Sequence, residues 1–336
     1  MGGTLGKIVG LILGVMILAG CAAPVTGVDT AIQEAQKAFA VMDNVVDEEK
    51  KGSDDYQEAK DKLDEALKLS ESKSKQDKAK VAANQSLSAS QRILTDFYRT
   101  TITPLARTAR KQIEDITEQD PDNPLKEFLP KIDELLDYST KLESGSEVIA
   151  LNKVLEDLEE VVTIKHNTDE NITATLDSDI SFDPGKYELS DTGKQLLKDF
   201  FERIVAKQQE YLSQFSSGKR VTMKITVIGY TDQQGFQKGT ALVKTLTEGM
   251  EGTVPEKSLD LRRFLNLRLS QFRANTIGEY IREVIEQADH RVVVEQNNIG
   301  RGEDVPPGIT PSYKDSDSVS DPSRRICKVY SYVIVE

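Results

Sequence analysis

The hydrophobic pattern of the chain changes once and divides it into two parts. From Asp29 to about Lys165, apolar residues recur at every third or fourth position, as on one face of a helix. Two clear stripes are Ile32, Ala35, Phe39, Met42 and Val46, and Val148, Leu151, Leu155, Leu158 and Val162. Because each stripe needs a packing partner, the pattern predicts four or five helices in an elongated antiparallel bundle or coiled coil.

Glycine and proline residues mark the breaks between these helices. They occur in the segments KKGSDD, QDPDNP and LESGSE, which contain residues that end or start helices. Pro104 lies inside an otherwise periodic stretch from about Lys75 to Glu118, so we expect a kink or a break there. We interpret the helical half, residues 21–165, as a stalk, and a docking surface for a partner protein is the alternative.

The second part begins after the segment HNTDENIT, which is polar and aperiodic, as is typical of a linker; we place that linker at residues 166–174. The segments that follow are, in order, TATLDSDISF, a helix from about Asp191 to Gln209, RVTMKITVIG, a helix that contains Arg273, RVVVEQNNIG and RRICKVYSYVIV. This order predicts a βαβαβ-type α/β sandwich with a last strand and helices on one face, at residues 175–336. The fold class of the whole chain is therefore α+β.

The N-terminal residues form the clearest local signal. Lys7 precedes an apolar run at residues 8–19, which is shorter than the roughly 20 residues that a membrane-spanning helix needs. The run resembles the core of a signal peptide, and LAGC, ending at Cys21, resembles a bacterial lipobox. The resemblance implies removal of residues 1–20, acylation of Cys21 with palmitate and, because Ala22 follows, a lipid anchor in the outer membrane facing the periplasm. An uncleaved anchor is the alternative.

Charge and cysteine content narrow the class of protein. The net charge is −13, and residues 1–176 hold 21 Lys and Arg against 32 Asp and Glu, whereas residues 177–336 hold 22 against 24. An acidic chain without a basic stripe is a poor partner for nucleic acid, so we exclude that class. If lipid occupies Cys21, an intramolecular disulfide is impossible, and we expect Cys327 to be a small buried hydrophobe.

Arg273 is the one oddly placed residue of the segment NLRLSQFRANTIGEYI. At about 100° per residue it falls about 40° from Leu269. That position is inside an apolar stripe made by Leu269, Phe272, Thr276, Ile277, Tyr280 and Val284. Burying a guanidinium without a partner costs several kcal/mol, so we expect an anion beside Arg273.

Four ordered motifs identify a family resemblance. They are GYTDQQG, NLRLSQFRA, GRGEDVPPG and DPSRRI, and each lies where the α/β pattern expects a strand end, a helix start, a loop or a final strand. Together they resemble the OmpA-like peptidoglycan-binding domain found in OmpA, the peptidoglycan-associated lipoprotein and MotB. The resemblance extends from about Thr175 to the end of the chain and excludes the helical half.

The resemblance implies roles for individual residues. The anion of Arg273, near the expected helix start, would be a carboxylate of the peptidoglycan stem peptide, usually that of meso-diaminopimelate, and Asp232 would bind the ammonium of the same residue. A plain buried salt bridge between Asp232 and Arg273 is the alternative. The remaining expectations are that Asn266 bonds the stem or caps its helix, that Thr231 shapes the loop, that one of Arg324 and Arg325 borders the cleft, and that Glu303 and Pro306 form a turn.

Two features depart from the family pattern. Leu265 stands where an aromatic residue usually precedes the asparagine, and an insertion at about residues 235–264 separates Asp232 from Asn266. The insertion contains a short potential helix near Thr240–Leu246. Loops of this length inside compact domains are often functional or mobile. The insertion could cover the cleft, bind a partner or decorate the surface, and we expect the last.

These expectations combine into a function: a non-catalytic outer-membrane lipoprotein that binds peptidoglycan and tethers the membrane to the cell wall. The alternative is a wall-anchored scaffold subunit of a secretion or motility complex, with envelope proteins bound to the helical half or the insertion. An enzyme that acts on peptidoglycan is disfavoured, because His166 and His290 are the only histidines and no nucleophilic or metal-ligand spacing is visible. No cofactor and no metal are expected.

Overall fold

The structure, a computed structural model, describes residues 27–182, 186–212, 220–248, 254–288, 292–310 and 320–335. The chain divides into two compact units. The helical unit comprises residues 27–111 and 128–165, and the sheet unit comprises residues 112–127 and the described residues from 166 onwards. The expected signal peptide and Cys21 lie outside the described residues. No described helix is both long enough and apolar enough to cross a membrane.

Three helices of the helical unit pack on one another: α1 (Gly27–Val45), α2 (Asp54–Ser70) and α3 (Gln76–Phe97). Their shared core consists largely of alanines with a few larger residues. Its members are Val28, Ala31, Ile32, Ala35, Leu63, Ala66, Ala79, Ala82 and Ala83. Because alanine has the smallest apolar side chain and the highest helix propensity, this composition favours long helices in close contact.

The remaining helices of this half are α4 (Thr103–Gln119), α5 (Leu129–Glu143) and α6 (Leu151–Glu170). The three predicted breaks are confirmed, since they fall between α1 and α2, α4 and α5, and α5 and α6. A π-helical turn at Tyr98–Ile102 separates α3 from α4 just before Pro104, which confirms the break expected there. Residues 27–170 therefore contain six α-helices, whereas four or five were predicted.

Two details of the helical prediction are wrong. Val148 is 67% exposed because α6 begins only at Leu151, and the buried residues of α6 include Val154 and Val161, which the stripe omitted. The segment HNTDENIT is not a linker, since α6 continues to Glu170 and the first strand begins at Ile172.

Asn167 explains why this polar segment is ordered. Its amide Nδ2 donates to the carbonyl oxygen of Val333 at 2.7 Å, and its Oδ1 accepts from the Val333 N–H at 2.9 Å. The first strand pairs with the last only as far as Ser331. The first strand therefore does not extend beside Val333. Asn167 instead makes the hydrogen bonds that the buried N–H and carbonyl groups of Val333 need.

The sheet has four strands, β1 (Ile172–Asp177), β2 (Val221–Gly229), β3 (Val292–Gly300) and β4 (Ile326–Val335), in the order β1-β4-β2-β3. Strands β2 and β3 are parallel, and β4 is antiparallel to both β1 and β2. The helices are α7 (Ser178–Ser181), α8 (Asp191–Leu212), α9 (Ala241–Thr247) and α10 (Ser258–Ala288). The α+β class and the predicted order of elements are confirmed.

Helix α10 lies very close to the ends of β2 and β3. Gly229 and Gly300 are paired across these two parallel strands. A Cβ atom on Gly229 would collide with the carbonyl oxygen of Ser270, and one on Gly300 would lie 2.6 Å from the amide nitrogen of Gln271. Glycine is therefore required at both positions, and the close contact brings α10 beside the residues that follow β2.

Residues 112–127 belong to the sheet unit rather than to the predicted stalk. Three buried tyrosines of the sheet unit donate hydrogen bonds to acidic residues of this segment. The pairs are Tyr230 with Asp122, Tyr330 with Asp120, and Tyr332 with Glu127. Burial, together with the neighbouring carboxylates, raises the pKa of each phenol above its usual value, so the three phenols stay protonated at neutral pH.

Candidate binding cleft

A cleft of about 670 Å³ opens in the sheet unit beside the end of β2. Five of the six residues predicted to bind the ligand line it: Thr231, Asp232, Asn266, Arg273 and Arg325. Three chain segments supply them, namely the loop after β2, the middle of α10 and the residue before β4. The tertiary fold therefore brings together groups that are almost 100 positions apart in the chain.

Asp232 supplies the negative charge of the cleft. Its side chain is only 4% exposed, its Oδ1 accepts from the Gln234 N–H at 3.1 Å, and its Oδ2 accepts from the Asp321 N–H at 3.0 Å. Arg325 Nε lies 3.8 Å from Oδ2. A carboxylate offers about four acceptor positions, so these contacts fix the orientation of Asp232 and leave capacity for a ligand cation.

Arg273 is buried, as its position in the stripe predicted, with a relative exposure of 6%. Its Nε and Nη2 each lie 3.4 Å from the carbonyl oxygen of Lys186, and its guanidinium carbon lies 5.0 Å from the centre of the Phe182 ring. Both contacts hold the guanidinium in place. The two hydrogen bonds are long, and a charge-assisted bond to a carboxylate would be shorter and stronger.

The two neighbouring arginines before β4 have different environments. Arg325 lines the cleft, where its Nη1 lies 3.5 Å from Gln234 Oε1 in addition to the contact with Asp232. Arg324 is 1% exposed and donates to the carbonyl oxygen of Glu303, away from the lining. Arg325 is therefore the arginine that borders the cleft, and Arg324 stabilises the loop after β3. Both lie before the strand rather than in it, because β4 begins at Ile326.

Asn266 does not cap its helix. Helix α10 begins at Ser258, so Asn266 lies eight residues and Arg273 fifteen residues beyond its start, and the expectation that Arg273 lies near a helix start is wrong. The Asn266 amide Nδ2 donates to Glu303 Oε1 at 2.8 Å and to the Gln234 carbonyl oxygen at 3.4 Å. These bonds use both amide hydrogens, so Oδ1 is the atom with which Asn266 can accept from a ligand.

Glu303 has a larger role than the turn that the sequence suggested. Its carboxylate accepts from Asn266 and, at 2.9 Å each, from Nε and Nη2 of Arg262. Arg262 lies in the insertion, whose contribution to the site the sequence did not reveal. The motif GRGEDVPPG identified Glu303 in the sequence, but its partner Arg262 in α10 could be identified only from the fold.

Thr231 is 2% exposed and shapes the loop, since its N–H donates to the Gly302 carbonyl oxygen at 2.7 Å. Its hydroxyl Oγ1 is buried and has no hydrogen-bond partner among the described residues.

The insertion does not merely decorate the surface. Gly235, Phe236, Gln237, Thr240 and Leu242 line the same cleft as the charged residues. The predicted short helix is confirmed as α9, Ala241–Thr247, and Thr240 caps it by accepting from the Val243 N–H at 3.4 Å.

Cys327 is fully buried beside this site, as expected. Burial raises the pKa of its thiol to about 11, although the charge of Arg273 acts in the opposite direction. The thiol therefore stays protonated at neutral pH and is a small core residue rather than a reactive group.

No protein-family model and no curated protein matches the chain. A solved structure to which the chain is similar is that of a MotB-like protein from Desulfovibrio vulgaris. The two are 19% identical over 48% of this chain and 72% of that one, with a TM-score of 0.26. What the cleft can bind therefore follows from its own side chains.

Proposed function

We propose that the sheet unit binds the stem peptide of peptidoglycan without catalysing a reaction on it. The observation that supports this function is that the carboxylate of Asp232 and the guanidinium groups of Arg273 and Arg325 line one cleft of about 670 Å³. A cleft with one fixed anion and two fixed cations suits a ligand that is itself zwitterionic.

The free end of meso-diaminopimelate in a stem peptide is such a ligand. It has one ammonium and one carboxylate on the same carbon atom, a few ångströms apart. Asp232 binds the ammonium, and Arg273 binds the carboxylate through two parallel N–H donors, which a lysine could not offer. Arg325, whose Nε lies 3.8 Å from Asp232 Oδ2, offsets part of the charge of Asp232 and also lines the cleft, where it can contact a second ligand carboxylate.

Two uncharged residues assist the binding of the peptide part of the ligand. Asn266 Oδ1 accepts from a backbone N–H of the stem, since its Nδ2 is held by Glu303 and Gln234. Thr231 positions the loop that carries Asp232, because its N–H donates to the Gly302 carbonyl oxygen. Such groups orient a ligand and exclude analogues that leave them without a partner.

The location in the envelope is part of the proposal and is supported by the sequence alone. Acylation of Cys21 anchors the chain in the outer membrane, the helical unit lies between that anchor and the cleft in the sequence, and the cleft binds the wall. More than one acyl chain at the terminus would make the anchor stable, whereas a single chain binds only marginally.

Co-sedimentation with purified peptidoglycan sacculi tests the function. We expect the wild-type chain to sediment with sacculi and Asp232→Ala or Arg273→Ala to lower the affinity at least tenfold, about 1.4 kcal/mol. Arg282→Ala, an exposed position on the same helix, is the matched control and should bind normally. Equal binding by all four proteins would overturn the proposal, and release of soluble fragments from the sacculi would indicate an enzyme instead.

A further inference from the structure

The insertion supplies an apolar part of the cleft. We call the lining residues Phe236, Thr240 and Leu242 the insertion wall. Phe236 and Leu242 are partly buried and pack against a cluster formed by Leu246, Leu265 and Leu269. Each therefore has one side in the core and presents its remaining surface to the cleft.

The insertion wall is held firmly against α10. Leu246, at the end of α9, is fully buried, and its carbonyl oxygen accepts from Arg268 Nε at 3.3 Å. Leu265, which replaces the usual aromatic residue of the family motif, is 2% exposed and packs in this cluster. The leucine thus anchors the insertion, and the insertion in turn places Phe236 in the lining.

The part of the ligand that the charged residues bind would not cover these apolar surfaces. Asp232, Arg273 and Arg325 suit a zwitterionic residue, whereas an apolar wall is best covered by an apolar group of the same ligand. In a stem peptide, diaminopimelate has an acidic residue on one side and D-alanine on the other. A carboxylate would lose hydration against Phe236 and Leu242, while the methyl group of alanine would remove their surface from water.

We propose that the insertion wall makes the cleft selective for stem peptides in which an alanine follows the diamino acid. This inference rests on the proposed function, because it assumes that the charged residues bind the diamino acid. It assigns a substrate preference to the insertion and a role in specificity to Phe236 and Leu242.

Two synthetic stems that differ only in that alanine test the inference. Both are C-terminally amidated so that their charges are equal; one ends at meso-diaminopimelate and the other has one further D-alanine. Titrated into the full-length chain in detergent, the longer stem should bind at least fivefold more tightly. Leu242→Ser should abolish this preference by lowering the affinity for the longer stem only. An unchanged affinity for the shorter stem would show that the variant is folded.

Two further variants complete the design. Val243→Ser alters the same apolar cluster at a residue outside the cleft lining and should keep the preference, and Leu242→Ala repeats the test with a milder truncation. Equal affinity of the wild type for both stems, or a preference that persists in both Leu242 variants, would overturn the inference. Arg273→Ala tests the proposed function separately: weaker binding of both stems supports that function whether or not the alanine is preferred, and unchanged binding of both would show that the function is wrong.

Discussion

Arg262 and Glu303 form a buried bidentate ion pair in which both N–O distances are 2.9 Å. The two side chains are only 10% and 9% exposed. The same carboxylate also accepts from Asn266, and the Glu303 carbonyl oxygen accepts from Arg324. This network joins the insertion, α10 and the loop after β3, and it fixes the amide of Asn266 at the edge of the cleft.

Removing Arg262 should be costly, because it leaves the buried carboxylate of Glu303 without its ion-pair partner. We expect Arg262→Ala to lower the free energy of unfolding of the sheet unit by about 3 kcal/mol or more. Urea denaturation measures the change. Arg263→Ala is the matched control, since Arg263 is the exposed neighbour on the same helix and should change stability by about 0.5 kcal/mol or less. Equal stability of the two variants would show that the pair contributes nothing.

Gly229 should not tolerate a side chain. In Gly229→Ala the new methyl group would collide with the Ser270 carbonyl oxygen, so α10 would have to move away from β2. We expect a loss of about 2 kcal/mol or more in unfolding free energy and weaker binding to sacculi, because Thr231 and Asp232 follow directly. Gly52→Ala meets no atom within 4 Å and serves as the control. A fully stable Gly229→Ala chain would contradict the close packing.

Asp232 should distinguish ligands by their ammonium group. We expect Asp232→Asn to weaken binding of free meso-diaminopimelate at least tenfold, because the amide keeps the shape of the side chain and loses its charge. The same variant should bind pimelate, which has the carboxylates without the amino groups, at least as well as the wild type does. Isothermal titration with both ligands decides this. An equal loss of affinity for meso-diaminopimelate and pimelate would mean that Asp232 only maintains the shape of the cleft.

Alkaline pH should destabilise the sheet unit through its buried tyrosines. The pKa values of Tyr230, Tyr330 and Tyr332 are raised above the ordinary value of 10.0, so these phenols keep their protons when those of the unfolded chain are lost. The contribution of the three phenols to the stability of the folded state is complete below about pH 10 and decreases as the pH rises above this value. Denaturation between pH 8 and pH 11 should show this fall. In a variant with all three tyrosines changed to Phe, the unfolding free energy should decrease less steeply with pH. An identical decrease in the variant and the wild type would show that other groups cause the effect.

Cys21→Ser tests the lipid anchor, which lies outside the described residues. We expect the variant to lose palmitate labelling and to accumulate as the uncleaved precursor, since the proposal places acylation on this thiol. Metabolic labelling followed by electrophoresis of the membrane fraction measures both. Labelling that persists in the variant would place the lipid elsewhere.

The amino-acid sequence by itself determined the class of each half and the positions of the breaks between helices. Periodicity predicted the helices up to residue 165 and the strands β2 and β3, because a buried face imposes a repeat of 3.6 or 2 on nearby residues. It also predicted that Arg273 is buried, since its position relative to Leu269 depends only on helix geometry. The breaks at glycine and proline followed from the local backbone alone.

Only the tertiary structure decided which distant residues meet. Asp232 faces Arg325, and the carboxylate of Glu303 accepts from both Asn266 and Arg262 of the insertion. Residues 112–127 bond the tyrosines of the sheet unit although the sequence assigned them to the stalk. HNTDENIT resembled a linker because it is polar and aperiodic, yet Asn167 bonds Val333, which lies 166 positions away. Such contacts depend on sheet order and on the close approach of α10, and neither leaves a periodic signal in the chain.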